Sequence, residues 1–243
     1  MNSLGAASDA APRYTRFRRF LVENATTQHL KAVPIALDVG LDLAELYEEI
    51  PASVCVELDS AAKFYPCPRC RWPMQIGREV VRCAHSDACM EAGARFARHG
   101  GRLVPLGKLN PPDAVAQAGH ARLLFGVWRY TTLPGLEELD LRAKLMAIPG
   151  VKVELWPMVD RYDLDLTLGK HRWRVDVKDH ASVARLAMHL RDRPAPEKIW
   201  IVVPERHHDQ VLVLRRLCSG DAGYLFASSK ELPRLVRRAA KTT

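Results

Sequence analysis

The sequence lacks the features that define membrane, secreted and fibrous proteins. No apolar run reaches the roughly 20 residues that a helix needs to cross a bilayer. The first residues, MNSLGAASDAAPRYTRFRRFL, contain no apolar stretch followed by a small-residue cleavage site. Glycine and proline are not in excess, and no segment recurs at the spacing of a repeat protein. We therefore expect a cytoplasmic globular protein without membrane association.

The charge balance favours an anionic partner. The 243 residues are 48% hydrophobic and 26% charged, which is ordinary globular composition. Lys and Arg number 36 against 28 Asp and Glu, and the formal net charge is +8. Nucleic acid is the commonest partner of such a protein. Many enzymes are basic without binding DNA, so the charge alone does not decide the function.

Four of the six cysteines have the spacing of metal ligands. Cys67, Cys70, Cys83 and Cys89 form C-x2-C, a twelve-residue gap and C-x5-C. In a reducing cytosol this clustering indicates metal rather than disulfides. Four thiolates enclose Zn²⁺ tetrahedrally and leave no open position for chemistry, so we predict a structural zinc ribbon. The C-x5-C gap is wide, and His85 within it could replace Cys83 or Cys89; the rival interpretation is a site that has lost its metal.

The first 130 residues predict small elements around these cysteines. Apolar positions at helical spacing predict a helix from about Tyr14 to Val33, and LDLAELYEEI (Leu41 to Ile50) predicts a second one. A further helix is expected after Pro112. Arg69, Arg71 and Arg78 near the cysteines could contact phosphate or could be solvated, and the solvated interpretation is favoured. The predicted regions are a helical N-terminal region (1–60), the zinc ribbon (61–100) and a connector (101–130).

Residues 131–243 alternate between helical and strand patterns, in the order α-β-β-β-α-β-α-β-α. The apolar run KIWIVVP predicts a central strand that is covered on both faces. Ser182 is the predicted N-cap of a helix. Asp179 and His180 could support the neighbouring Asp and Lys side chains or cap the same helix, and the cap is favoured. The predicted fold class is α/β, with a mixed sheet flanked by helices.

The segment YDLDLTLGKHRWRVDVK predicts a β-hairpin with one apolar and one charged face. Its charged face carries Asp163, Asp165, Asp176 and Lys178. A two-residue Gly-Lys turn would set Asp163 across from Asp176, whereas a four-residue turn would set Asp165 there. Both registers keep the leucines and valines on one face, so the hydrophobic pattern allows either.

Crowded carboxylates repel each other unless a cation or a proton is present. Mg²⁺ binds through a few carboxylates together with water and substrate phosphate. We therefore predict a catalytic magnesium held by Asp163, or Asp165, and Asp176. Lys178 would point to the same site, where it could orient or help deprotonate a metal-bound water and stabilise charge on an attacked phosphate.

This order of elements resembles the PD-(D/E)xK nuclease superfamily, whose fold is the restriction-endonuclease-like core. The resemblance covers roughly Thr131 to Ala227, and Asp176 and Lys178 match the family's Asp-x-Lys. It implies a Mg²⁺-dependent endonuclease that hydrolyses phosphodiester bonds, with DNA as the expected substrate.

The resemblance also implies roles for the remaining acidic residues. Asp163 matches the family's first aspartate best, with Asp165 as second choice, and Glu138 or Glu137 matches its helix glutamate. The proline expected before the first aspartate is absent, and Tyr162 is there instead. The choice between Asp163 and Asp165 therefore stays open.

The zinc ribbon followed by WP…DRYDLDL…WRVDVKD also resembles the restriction-endonuclease-related proteins of bacterial defence islands. Some of these accompany a helicase and a PIWI-like protein. This narrower resemblance implies cleavage of invading DNA within a larger complex. A pair of cuts would need two active sites, which a homodimer would provide.

Two other hypotheses fit the same residues. A catalytically silent nucleic-acid-binding module would keep the fold and the zinc ribbon for docking, although the intact Asp and Lys set argues against it. A scaffold protein with structural zinc would need no shared metal, and its aspartates would then lie in different registers.

Overall fold

The computed structural model describes residues 3–99, 102–219 and 223–241. The helices are α1 (Ser3–Glu23), α2 (His29–Val39), α3 (Asp87–Glu91), α4 (Phe125–Val127), α5 (Leu133–Met146), α6 (Pro157–Asp160), α7 (Val183–Arg191), α8 (Gln210–Leu217) and α9 (Glu231–Ala240). The strands are β1 (Thr26–Gln28), β2 (Tyr47–Glu49), β3 (Val56–Leu58), β4 (Ala61–Phe64), β5 (Gln75–Ile76), β6 (Val80–Arg82), β7 (Arg95–His99), β8 (Arg102–Pro105), β9 (Val115–Ala116), β10 (His120–Leu123), β11 (Lys152–Leu155), β12 (Leu164–Leu168), β13 (His171–Val177), β14 (Ile199–Val203) and β15 (Tyr224–Ser228). Over these described residues, no helix has the length and apolar character needed to span a membrane.

The chain divides into two compact units, formed by residues 16–136 and by residues 1–15 with 137–243. The first unit contains three small sheets, in the strand orders β1-β10-β2, β3-β4-β9 and β5-β6-β7-β8. One hydrophobic cluster in this unit includes the four clustered cysteines together with Trp72, Phe96 and Trp128. The cysteines are therefore packed into the core of the whole unit.

Three helices predicted in the first unit differ from those observed. The helix predicted from Tyr14 to Val33 is wrong in extent, because α1 ends at Glu23 and β1 precedes α2. The helix predicted from Leu41 to Ile50 is wrong, because β2 pairs there with β10 after a short 3-10 turn. The helix expected after Pro112 is also wrong, and β9 lies in that segment.

The second unit is built on one five-stranded sheet in the order β11-β12-β13-β14-β15. Strands β11, β12 and β13 are antiparallel, whereas β13, β14 and β15 are parallel. Strand β14 lies inside the sheet between β13 and β15, and four of its five residues are buried, so the prediction that KIWIVVP is a strand covered on both faces is confirmed. Leu186 of α7 and Leu214 of α8 pack into one cluster with Ile201 of β14. The predicted α/β class with a mixed sheet is confirmed.

The predicted hairpin is confirmed and its turn has two residues. Leu168 pairs with His171, and Gly169 takes the left-handed φ of 56° that such a turn requires. Leu164 and Leu166 lie in the buried core, opposite Val175 and Trp173. The turn length therefore fixes which acidic residues meet on the other face.

Candidate active site and metal centre

Asp163 lies across the hairpin from Asp176. It precedes β12 by one residue, at the position that continues the pairing of Leu164 with Val175. Its Oδ2 accepts a hydrogen bond from the backbone N–H of Val177 at 2.6 Å. The Asp163 residue is 9% exposed, and the Asp176 side chain is 23% exposed. The two carboxylates thus share one partly open edge of the sheet.

Lys178 follows β13 and reaches the same carboxylates. Its backbone N–H donates to the carbonyl of Val202 at 2.9 Å, which continues the parallel ladder with β14. Its Nζ lies 3.4 Å from Asp176 Oδ2. Burial acts to lower the pKa of Lys178, but Asp163, Asp176 and Glu138 outweigh burial and raise that pKa above its usual value. Lys178 is therefore a protonated cation among acidic groups at neutral pH.

Glu138 is the buried acidic residue of this cluster. It lies on α5, is 1% exposed, and accepts a hydrogen bond from the indole N–H of Trp156. The backbone N–H of Trp156 donates to the carbonyl of Asp163 at 3.0 Å. Trp156 therefore connects two of the acidic residues, one through its side chain and one through its main chain.

Glu137 has a different partner from Glu138. Arg206 donates to Glu137 Oε1 at 2.7 Å and also to Asp179 Oδ2. His207 Nε2 lies 3.2 Å from the other oxygen of Asp179. This bridge ties α5 to the end of β13 beside the Lys178 cluster. Glu137 thus has a structural ion pair, whereas Glu138 faces Lys178.

The capping prediction for the next helix is partly wrong. Asp179 is engaged by Arg206 instead of capping α7, and the backbone carbonyl of His180 accepts from Gln210 at 2.9 Å. Ser182 is the observed cap, because its Oγ accepts the N–H of Arg185 at 3.4 Å. The prediction for Ser182 is therefore confirmed.

Asp165 is held away from the other acidic residues by an arginine. It pairs in register with Arg174, and its two carboxylate oxygens accept from Arg172 Nε at 2.9 and 3.0 Å. The hydrogen bond and charge of Asp165 raise the pKa of Arg172. The two-residue turn thus brings Asp163 to Asp176 and leaves Asp165 in an ion pair.

An unusual backbone segment leads from β11 to Asp163. Trp156, Met158, Val159 and Asp160 all have φ between 47° and 71°, the left-handed region that side chains rarely adopt. Asp160 Oδ2 accepts the hydroxyl of Tyr14 at 3.0 Å. Met158 and Val159 are more than half exposed. Contacts with surrounding residues therefore determine the backbone conformation just before Asp163 more than the local preferences of these residues do.

The contact between Trp156 and Glu138 gives a testable expectation for stability. Trp156→Phe keeps most of the apolar ring but removes the N–H that Glu138 accepts, which should lower the free energy of unfolding by about 2 kcal/mol. Urea unfolding monitored by circular dichroism measures this change. Trp173→Phe is the matched control, because Trp173 is only partly buried and its ring contacts His171. Equal losses in both variants would argue against the hydrogen bond as the cause.

The four clustered cysteines form a site that could hold a metal ion such as zinc. Their sulfur atoms all lie within 4.8 Å of one another, all four residues are buried, and none forms a disulfide. The sulfur atoms of Cys70 and Cys83 are 3.7 Å apart. Tetrahedral zinc with Zn–S bonds of about 2.3 Å separates its sulfurs by roughly 3.8 Å, so the donors fit this ion.

Local backbone contacts shape both cysteine pairs. The carbonyl of Cys67 accepts the N–H of Arg71 at 2.9 Å, which folds the first pair into a tight turn. Ser86 Oγ caps α3 by accepting the N–H of Cys89 at 3.2 Å. Burial raises the pKa of Cys70, while hydrogen bonds from the other three cysteines lower that of Cys67.

His85 is not part of this cysteine group. It is exposed and packs edge-on against Phe125, with ring centroids 5.8 Å apart. Across the described residues, the cysteines are the one set of three or more His, Cys, Asp or Glu whose ligand atoms lie this close together. The carboxylates around Lys178 are more loosely spaced. Any ion there would rely on fewer protein ligands, with water and substrate completing its coordination.

Sequence reasoning missed two residues that shape the acidic cluster. Trp156 follows the apolar pattern of VKVELWP, which indicates a packing residue, although a buried indole usually needs an acceptor. Nothing in the sequence pattern indicates the bridge made by Arg206, because Glu137 and Asp179 are 69 and 27 residues away from it along the chain. The adjacent Trp-Pro in VKVELWP was the one available signal for a special turn.

Comparison with known protein families gives a match to the C-terminal part of the chain. The second unit is a mixed α/β fold in which Asp163, Asp176 and Lys178 lie at one end of the hairpin. Residues 135–243 match a family model described as "REase associating with pPIWI_RE". The match supports a restriction-endonuclease-like protein of a defence system. It covers less than half of the chain, and the four clustered cysteines lie outside it. No curated protein and no solved structure matches.

Proposed function

We propose that this protein is a metal-dependent endonuclease with a PD-(D/E)xK core that hydrolyses phosphodiester bonds of DNA in a bacterial defence system. The observation that carries the proposal is the charge cluster at the hairpin, where Lys178 lies among Asp163, Asp176 and Glu138. The family match over residues 135–243 includes all four residues and supports a nuclease-like role.

Asp163 and Asp176 are the proposed ligands of a Mg²⁺ ion. The two residues lie across from each other at one end of the hairpin, Asp163 buried and Asp176 partly exposed. Mg²⁺ binds through one or two carboxylates plus substrate phosphate and water. When bound, the ion would supply Lewis-acid polarisation of the phosphate and activation of a water. The hydrogen bond from Val177 N–H fixes the Asp163 carboxylate before any ligand arrives.

Lys178 is proposed to stabilise the negative charge that develops on the phosphate. Its raised pKa favours this role over that of a base, because a base must first lose its proton. Glu138 is proposed to assist by keeping Lys178 protonated and oriented, with Trp156 holding the carboxylate in place. In this proposal Glu137 and Asp165 keep their arginine partners and do not take part in catalysis.

The wider setting is also part of the proposal. The description of the matched family names association with pPIWI_RE, so we propose that this chain acts beside such a PIWI-like protein in a cytoplasmic complex, with a helicase as a further partner. The four cysteines are proposed to hold structural zinc. Cutting both DNA strands would require two copies of the hairpin site, which a homodimer would bring together.

Cleavage assays with Mg²⁺ or Mn²⁺ on supercoiled plasmid and on single-stranded DNA test the proposal. Lys178→Met should lower the cleavage rate at least 100-fold, because one positioned charge is worth about that much, and Asp176→Asn should lower it further. Lys170→Met changes the exposed lysine in the turn of the same hairpin and should cut like the wild type. Loss of cutting in all three variants would argue against a local role for Lys178.

The second candidate is a catalytically silent nucleic-acid-binding or scaffold module of the same complex. It is favoured by the loose spacing of the carboxylates compared with the cysteine group. A wild-type protein that binds DNA but does not cut it, even with the PIWI-like partner added, would support this candidate and contradict the nuclease.

A further inference from the structure

The positive charge of the chain is concentrated around the cysteine site. Residues 61–108 contain nine Lys and Arg but three Asp and Glu, so this fifth of the sequence carries +6 of the net charge of +8. The arginines responsible lie largely on one small sheet, β5-β6-β7-β8. This charge belongs to the unit of residues 16–136, whereas the hairpin belongs to the other unit, and the proposed hydrolysis does not use it.

The exposed face of this sheet places arginines directly opposite each other. Strand β6 buries Val81 and exposes Arg82, and β7 buries Phe96 and exposes Arg95. Arg82 and Arg95 are paired in register, with Gln75 next in the same row. Because side chains alternate along a strand, these residues share the face turned away from the core.

Arg82 and Arg95 are not neutralised within the described residues. Neither makes an ion pair or a side-chain hydrogen bond there. Like charges directly opposite destabilise a sheet, so the pair costs stability unless an anion lies over it. The two arginines line a pocket of about 390 Å³ together with Arg78, Gln75 and a single carboxylate, that of Glu79.

A second cationic position lies on the same face, further along β7. His99 pairs with Arg102 in register, and both are exposed. His99 is four residues from Arg95, which is about 13 Å along an extended strand. One small anion cannot reach both positions, whereas a chain of phosphates can. Arg102 also has no ion pair among the described residues.

We infer that this face of the sheet binds the phosphate backbone of a nucleic acid strand. Arg78, Arg82 and Arg95 would contact one part of the backbone, and Arg102 would contact another. Arginine suits this task, because its planar guanidinium donates to two phosphate oxygens at once. For Arg78 this inference favours the phosphate contact over the solvated interpretation. The inference requires no hydrolysis, so it can be correct or wrong independently of the nuclease proposal.

The test measures binding without cleavage. A fluorescein-labelled 30-mer, as duplex and as single strand, is titrated by anisotropy at several salt concentrations without added divalent metal. Arg82→Gln/Arg95→Gln should weaken binding at least tenfold at 100 mM salt and lower the slope of log K against log salt by about 2, or about 1 for each lost phosphate contact. Arg82→Lys/Arg95→Lys keeps the charge and should retain most of that slope.

The matched control removes the same charge elsewhere. Arg191→Gln/Arg193→Gln changes two exposed arginines at the end of α7 and should leave the slope unchanged. Equal weakening by the two glutamine pairs would overturn the inference, because overall charge would then explain the binding. An unchanged slope in the Arg82 and Arg95 pair would overturn it as well.

A second variant covers the case in which Arg82→Gln/Arg95→Gln disturbs the fold, as judged by metal content and circular dichroism. Arg102→Gln lies on the same face and should lower the slope by about 1. If Arg102→Gln binds like the wild type, the face is not a phosphate site. Preference for the duplex or the single strand in the wild type would identify the form of nucleic acid that is held.

Discussion

Cys70→Ser is expected to abolish the zinc binding proposed for the four cysteines and to unfold the unit formed by residues 16–136. Cys70 is fully buried, and all four clustered cysteines belong to the same hydrophobic cluster as Trp72 and Trp128. A structural zinc site contributes on the order of 10 kcal/mol, as much as the whole stability of an ordinary domain. Metal content by mass spectrometry and thermal melting by near-ultraviolet circular dichroism measure both effects.

Cys55→Ser is the matched control for this prediction. Cys55 is only partly buried, and its thiol lies 3.6 Å from the carbonyl of Pro51, outside the metal group. The variant should keep one metal ion for each chain and melt like the wild type. A Cys70→Ser protein that melts at the wild-type temperature would show that the packed core suffices without the metal.

Asp163→Asn is expected to abolish cleavage, whereas Asp165→Asn should leave it nearly unchanged. In the observed register Asp163 lies across from Asp176, while the carboxylate of Asp165 accepts a hydrogen bond from Arg172. If Asp163 holds the proposed Mg²⁺ ion, loss of its carboxylate should remove several kcal/mol of transition-state stabilisation, or about a thousandfold or more in rate. Asp165→Asn should instead lower the melting temperature modestly, because it weakens the contact with Arg172.

The two aspartate variants form a matched pair, since each removes one charge from the same face of the same hairpin. Single-turnover cleavage of a labelled duplex at saturating Mg²⁺ gives the rate, and calorimetry gives the melting temperature. A larger loss of rate in Asp165→Asn than in Asp163→Asn would contradict the two-residue turn as the arrangement of the active protein.

The hairpin shows how much of the candidate site the sequence alone could predict. The strict alternation of apolar and polar residues was enough to predict two strands and the residues on each face, since a side chain on a strand points to one of only two faces of the sheet. Alternation cannot distinguish registers that differ by two residues, because both keep the same faces. The choice between Asp163 and Asp165 therefore depended on the turn, which only the three-dimensional structure displays.

Glu137 and Glu138 show a similar limit for a helix. Adjacent residues on a helix point about 100° apart, so which of the two faces the sheet depends on the rotation of α5. That rotation is held by Arg206 and Trp156, which are distant in sequence from α5. No local pattern predicts either contact.

The first unit was predicted less well than the second. The segment LDLAELYEEI has good helix formers, but Tyr47, Glu48 and Glu49 pair with β10, so strand pairing across some 75 residues of chain overrides local propensity. The sheets of the first unit have strands of two to five residues, which are too short to show an alternating pattern of apolar and polar residues. The cysteine cluster was predictable because metal ligands are recognised by residue type and spacing, which the sequence displays directly.

The left-handed segment before Asp163 has a consequence for how this protein can change through evolution. Each non-glycine residue held at positive φ costs about 1 kcal/mol or more, and Val159, being β-branched, is among the least suited. Glycine there would relieve strain and stabilise the fold, yet it would also free the chain that positions Asp163. Selection for stability and selection for a fixed aspartate therefore oppose each other at this turn, so its sequence should change slowly even though Met158 and Val159 are exposed.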